Sequence, residues 1–146
     1  MKKLTLALII VVMITVFAAC TGETKVDDGV YRAEFEDYDE YGYKDYLEVT
    51  FRNGEIVKVV ADAISYDGTL KTQSQELKDK MLSAGSVTYP EKYYQDLVNL
   101  YMADPDPDEI DVIAGATKSS DNFKILAREL EKSIRAGYTE TVIVKR

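Results

Sequence analysis

The run richest in chemically capable residues is Asp111-Val112-Ile113-Ala114-Gly115-Ala116-Thr117-Lys118-Ser119-Ser120-Asp121. It leads from a short apolar segment, Ile110 to Ile113, into an amphipathic helical pattern. Gly115 and Ala116 leave the backbone open to close approach by a ligand. Thr117, Ser119 and Ser120 place three hydroxyls around the first helical turn. Such a turn offers unbonded N–H groups and the positive end of the helix dipole, which together suit a phosphate. The same residue types also perform plain N-capping, so the physics of the segment leaves anion binding and capping both open. A second polar run, Asp104-Pro105-Asp106-Pro107-Asp108, invites a calcium hypothesis. It lacks the Gly turn and the terminal liganding Glu of a calcium loop, and reads as chemistry that stops a helix.

Composition narrows the chemistry further. The chain has no histidine and one cysteine, Cys20. Beyond Cys20 there is neither histidine nor cysteine, so the usual zinc and iron sites are excluded there, and thiol, Ser-His-Asp and Cys-His catalysis go with them. Any demanding chemistry has to come with a bound cofactor. No acid–base pair is evident, so a carrier or binding role fits better than a free-standing enzyme. The net charge of −8 argues against nucleic acid, whose binders cluster Lys and Arg.

The elements that must hold the segment follow from periodicity. Tyr31, Ala33 and Phe35 alternate with Arg32, Glu34 and Glu36, as a half-buried strand requires. Asp37 to Asp45 is an acidic, tyrosine-rich loop. Leu47, Val49 and Phe51 mark a second strand, Asn53-Gly54 a two-residue turn, and Ile56 to Ala63 the returning strand. That third strand is apolar on both faces, which predicts a central position under helices. Helices are predicted over Gln73 to Ser83 (apolar at Leu77, Met81 and Leu82), from Pro90 (stripe Tyr94, Leu97, Val98, Tyr101), and over about Ser119 to Ala136. The last of these presents Phe123, Leu126, Ala127, Leu130 and Ile134 on one face. Thr88 and Glu91 have the spacing of a capping box for the second helix. Thr141 to Val144 closes the sheet, and Lys145-Arg146 is expected as a solvated end. The sum is one α+β domain over residues 28–146, an antiparallel sheet with three helices packed on it.

The N-terminus carries a different signal. Lys2 and Lys3 precede an apolar run from Leu4 to Ala18, and Phe17-Ala18-Ala19-Cys20 puts small residues before the cysteine. This is the layout of a signal peptide, slightly short for a confident membrane span. The residues around Cys20 resemble the lipobox of bacterial lipoproteins. That resemblance implies a leader at 1–19, a lipidated Cys20 with a tether to residue 27, and anchorage at a cell membrane, facing outside the cytoplasm. Loss of the leader removes two lysines and no acids, which deepens the net charge from −8 to −10.

The chemically rich segment is itself similar to the attachment motif of the FMN-binding domain family. That family includes the flavin subunits of sodium-pumping NADH:quinone reductase and of related ferredoxin-oxidising complexes. Its motif is an Asp, two or three variable residues, Ser or Thr, then Gly-Ala-Thr, with Ser or Thr close behind. Asp111, Gly115, Ala116 and Thr117 match it, and Ser119 and Ser120 fit the trailing hydroxyls. Position 114 is Ala where the family usually has Ser or Thr. Asp28-Gly29-Val30-Tyr31 and Asn53-Gly54-Glu55-Ile56-Val57 also resemble the opening of that domain, so the similarity spans about residues 28 to 137. It implies FMN joined through its phosphate to the Thr117 hydroxyl by a flavin transferase, with Asp111 as the acidic residue of the motif and Gly115-Ala116 as the bend that admits the phosphate. The function implied is that of a lipid-anchored electron carrier with a membrane redox partner. Reversible binding of flavin or another phosphate ligand, and a non-redox surface lipoprotein on the same fold, are the alternatives. Tyr38, Tyr41, Tyr43 and Tyr46 are candidates to stack on a flavin ring, or are structural.

Overall fold

A computed structural model describes residues 26–146. The expected leader, the lipidated Cys20 and most of the tether lie outside the described residues.

Strand β1, Gly29–Phe35, turns Tyr31, Ala33 and Phe35 inward, as its alternation predicts. Strand β2 runs Tyr43–Arg52 and β3 Glu55–Ser65. Their turn places Asn53 at φ 55° and Gly54 at φ 83°, the two positive values that a tight hairpin requires. The Asp28 carboxylate accepts the Asn53 N–H at 2.6 Å, which ties the start of β1 to this turn. Strand β2 begins within the stretch expected as a tyrosine-rich loop, because Tyr43 and Lys44 already pair with Ser65 and Ile64.

The sheet order is β3-β2-β1-β4, with β4 at Val142–Val144. The first three strands are antiparallel, and β4 lies parallel to β1. The fold is therefore α+β with a mixed sheet, since β4 returns only after the helices, the long connection that parallel pairing needs. The position expected for β3 is corrected: it is an edge strand. Its apolar inner face (Val59, Ala61, Ala63) meets the core, and the buried Asp62 is held by a short 3-10 turn, Lys71–Gln73. Thr72 donates to the Asp62 carboxylate through both its N–H and its Oγ1, at 3.1 and 2.5 Å. The outer face of β1 and β2 carries an ion ladder in which Glu34 pairs with Arg32 and Lys44, and Arg32 also with Glu48.

Helix α1 spans Gln75–Ser83, two residues later than expected, because Ser74 caps it by accepting the Leu77 N–H. Helix α2 spans Pro90–Ala103 with Pro90 in its first turn, but the capping box is corrected. Tyr89 is the N-cap and makes no side-chain cap bond, while Thr88 is turned inside and Glu91 reaches Lys78. Helix α3 spans Thr117–Arg135 and buries Phe123, Leu126, Ala127 and Leu130 against the sheet. Leu126 and Leu130 are almost fully buried. Truncating either to Ala costs about 2–5 kcal/mol by lost burial and cavity formation.

The chain end also departs from expectation. Lys145 and Arg146 are both exposed, as expected, but the Arg146 side chain folds back with its guanidinium 4.0 Å over the Phe35 ring and 3.3 Å from Asp45. Arg146 gives the buried Asp45 carboxylate a charged partner.

Candidate functional site

The turn into α3 is built by hydrogen bonds that its sequence hides. Gly115 sits at φ 81°, a conformation disfavoured for residues with a Cβ. A Cβ there would lie 3.2 Å from Ser86 Oγ and 3.3 Å from Thr88 Cγ2, so the turn is seated tightly on the segment before α2. Ser120 is fully buried; its Oγ accepts the Ile113 N–H and donates to the Ala116 carbonyl, each at 3.0 Å. That hydroxyl staples the turn and faces no ligand. The N-cap of α3 is Ala116, with no side-chain cap bond. Hydroxyl capping, one of the two readings of the segment, therefore fails at the cap residue. The first-turn amides of Thr117, Lys118 and Ser119 remain as donors, since a helix supplies them no carbonyl.

These residues border a cleft of about 350 Å³, within the range of small-ligand pockets. One wall is Gly115 to Ser119 with Asn122 behind. Asp39, Tyr41 and Tyr43 come from the β1–β2 side, Lys71 from the 3-10 turn, and Tyr93 from α2. Leu77 and Met81 of α1 complete it. This accounts for an amphipathic α1 that buries no residue: its apolar side faces the cleft.

Two lysines, Lys71 and Lys118, line the cleft together with one carboxylate, Asp39, beside an aromatic wall. Lys118 pairs with Glu40 at 2.6 Å and stands 5.2 Å over the Tyr41 ring, and Lys71 lies 5.0 Å over the Tyr43 ring. The hydrogen bond to Lys118 holds the Glu40 carboxyl below its usual range. Asp39 accepts the N–H groups of Tyr41 and Tyr43 at 2.9 Å each, and its other oxygen lies 3.9 Å from Lys118. Burial pushes the Tyr93 phenol well above its ordinary value, so it stays protonated at neutral pH.

Of the residues read from sequence, Gly115, Ala116, Thr117 and Ser119 line the cleft together. Thr117 is exposed at the rim, whereas Ser120 is internal. Asp111 and Ala114 are exposed and do not line the cleft. Among the tyrosines, Tyr41 and Tyr43 face it. Tyr38 instead stacks on Tyr66 at 4.0 Å, and Tyr46 lies on the outer face of the sheet beneath Arg32. Tyr93 and Asn122 escaped the sequence reading. Tyr93 had a signal, since Tyr93, Leu97 and Tyr101 repeat every four residues; nothing marked Asn122. In the proline-rich turn, Asp106 accepts the Asp108 N–H and Asp108 pairs with Arg128, as turn chemistry requires.

No protein-family model matches the chain. It is 38% identical over 120 residues to a 15 kDa lipoprotein of Treponema pallidum, covering 82% of this chain and 84% of that protein. A crystal structure of a Clostridium perfringens protein superposes with a TM-score of 0.76 at 30% identity, over 83% of this chain and 98% of the other. A solution structure from Clostridium thermocellum gives a TM-score of 0.52 at 26% identity, over 78% and 95% of the two chains.

Proposed function

The chain belongs to the family of the 15 kDa lipoprotein of Treponema pallidum, and from that premise we propose a lipid-anchored protein that carries FMN esterified to Thr117 and relays electrons outside the cytoplasm. The anchor reading rests on the relative's name together with Phe17-Ala18-Ala19-Cys20 in this chain. Two or three acyl chains at Cys20 would hold the domain stably at a bilayer. Among the described residues no helix is long and apolar enough to cross a membrane.

The observation that carries the flavin reading is the uncapped first turn of α3, open to a cleft with Thr117 exposed at its rim. Thr117 Oγ1 would bear the phosphate ester, and the free amides of that turn would bind the phosphate oxygens. Gly115, whose missing Cβ leaves room for Ser86 and Thr88, seats this turn at the edge of the cleft. Lys71 adds positive charge at the cleft, whereas Lys118 is already paired with Glu40 and Asp39. Tyr41 and Tyr43 offer aromatic surface at the cleft, with the buried Tyr93 behind them, while Leu77 and Met81 add apolar lining. FMN, when bound, supplies redox chemistry that no side chain of this protein provides. Asp111 and Ala114, exposed beside the turn, stand where a flavin transferase would reach them.

Thr117→Ala tests this reading. The wild-type protein, exported together with a flavin transferase, is expected to show a fluorescent flavin band after denaturing electrophoresis. The variant is expected to show none, with its thermal stability within about 0.5 kcal/mol, as for an exposed substitution. A fluorescent Thr117→Ala band, or a dark wild-type band, contradicts the attachment.

A further inference from the structure

Asp45 is 3% exposed, and residues from three other parts of the fold converge on it. Tyr94 of α2 donates to its Oδ1 at 2.6 Å, Asn122 of α3 donates to Oδ2 at 3.0 Å, and Arg146 reaches Oδ2 at 3.3 Å. Asn122 is the member of this network that also lines the cleft. Its amide is held at both ends, because its Oδ1 accepts from Arg146 Nη1 at 3.4 Å. A flipped amide would set oxygen against a carboxylate and nitrogen against a guanidinium. One orientation is therefore enforced. An amide nitrogen carries two N–H groups; Asp45 takes one, and the second has no acceptor among the described residues.

We propose that Asn122 reads the ligand of the cleft, donating this second N–H to a carbonyl or ring-nitrogen acceptor on a planar heterocycle, with Asp45 and Arg146 as positioning residues that keep it a donor. This rests on the flavin reading of the same cleft. A site built around a fixed donor rejects rings that lack an acceptor, because the donor is then buried unpaired.

The test titrates FMN into the protein made without a flavin transferase, so that binding is reversible and is read by quenching of flavin fluorescence. Asn122→Leu keeps the side-chain shape and removes the donor. It is expected to weaken FMN binding roughly ten-fold, the ratio that 1.4 kcal/mol corresponds to. A second readout, independent of that variant's folding, is the Asn122 side-chain amide signal of the wild-type protein in NMR. FMN is expected to shift it, and to do so in Arg146→Lys but less in Arg146→Ala. Unchanged affinity in folded Asn122→Leu, or an unshifted Asn122 amide while other cleft signals move, overturns the assignment. If FMN moves no signal at all, the flavin reading fails and this assignment falls with it.

Discussion

Thr88 illustrates how a single atom sets a local cost. Its Oγ1 is buried with no hydrogen-bond partner among the described residues. A buried hydroxyl left unpaired costs about 1–3 kcal/mol. Thr88→Val, nearly the same shape, is expected to raise stability by about 1 kcal/mol in denaturant unfolding; a clear loss would mean that the hydroxyl has a partner. Gly115→Ala has the opposite sign. Its positive φ and the close Ser86 and Thr88 atoms are expected to cost about 1–3 kcal/mol and to lower flavin attachment, because the same turn carries Thr117. Asp62 adds a pH dependence. Burial holds its carboxyl above the usual range, against hydrogen bonds from Thr72 and Ala63. Its folded-state pKa thus exceeds the unfolded one, so its stabilising contribution is full below about pH 4 and is lost as pH rises through the raised value. Asp62→Asn should remove that decline, and its unfolding free energy should exceed that of the wild type increasingly as pH rises through this window. Parallel pH profiles of the two proteins would contradict the account. Asp62 and Thr88 were not legible in sequence, since burial of one polar atom depends on neighbours far along the chain.

At the scale of elements, what local pattern controls was legible. The alternation in β1 and β2, the Asn53-Gly54 turn and the apolar stripe of α3 all appear where periodicity puts them. The misread elements are those whose environment is set by distant parts. Strand β3 looks central because both its faces are apolar, yet it is an edge covered by the 3-10 turn and α2. Thr88 and Glu91 have capping-box spacing, but Pro90 begins the helix one residue later than that box requires. Arg146 is a charge at the chain end, which ordinarily means solvent, and here it neutralises Asp45. Arg146→Ala leaves that carboxylate buried without its cation and is expected to cost about 1–3 kcal/mol in thermal unfolding, more than a solvated terminus would. A change within about 0.5 kcal/mol would return Arg146 to the solvated end that its position suggests.

For the whole molecule, the attachment segment was legible and the cleft was not. Asp111, Gly115, Ala116 and Thr117 lie within seven consecutive residues, so spacing alone groups them. The cleft joins Gly115, Ala116 and Thr117, but not Asp111, to Tyr41, Lys71, Met81 and Tyr93, which the sheet and helices bring together from distant segments. The central claim is that this cleft serves a flavin held by Thr117. Its most direct test is the intact mass of the domain, residues 21–146, exported with a flavin transferase and then denatured. The account predicts a gain of one FMN less one water, mapped to the peptide that contains Thr117. An unmodified mass, or the same gain on another residue, would contradict it.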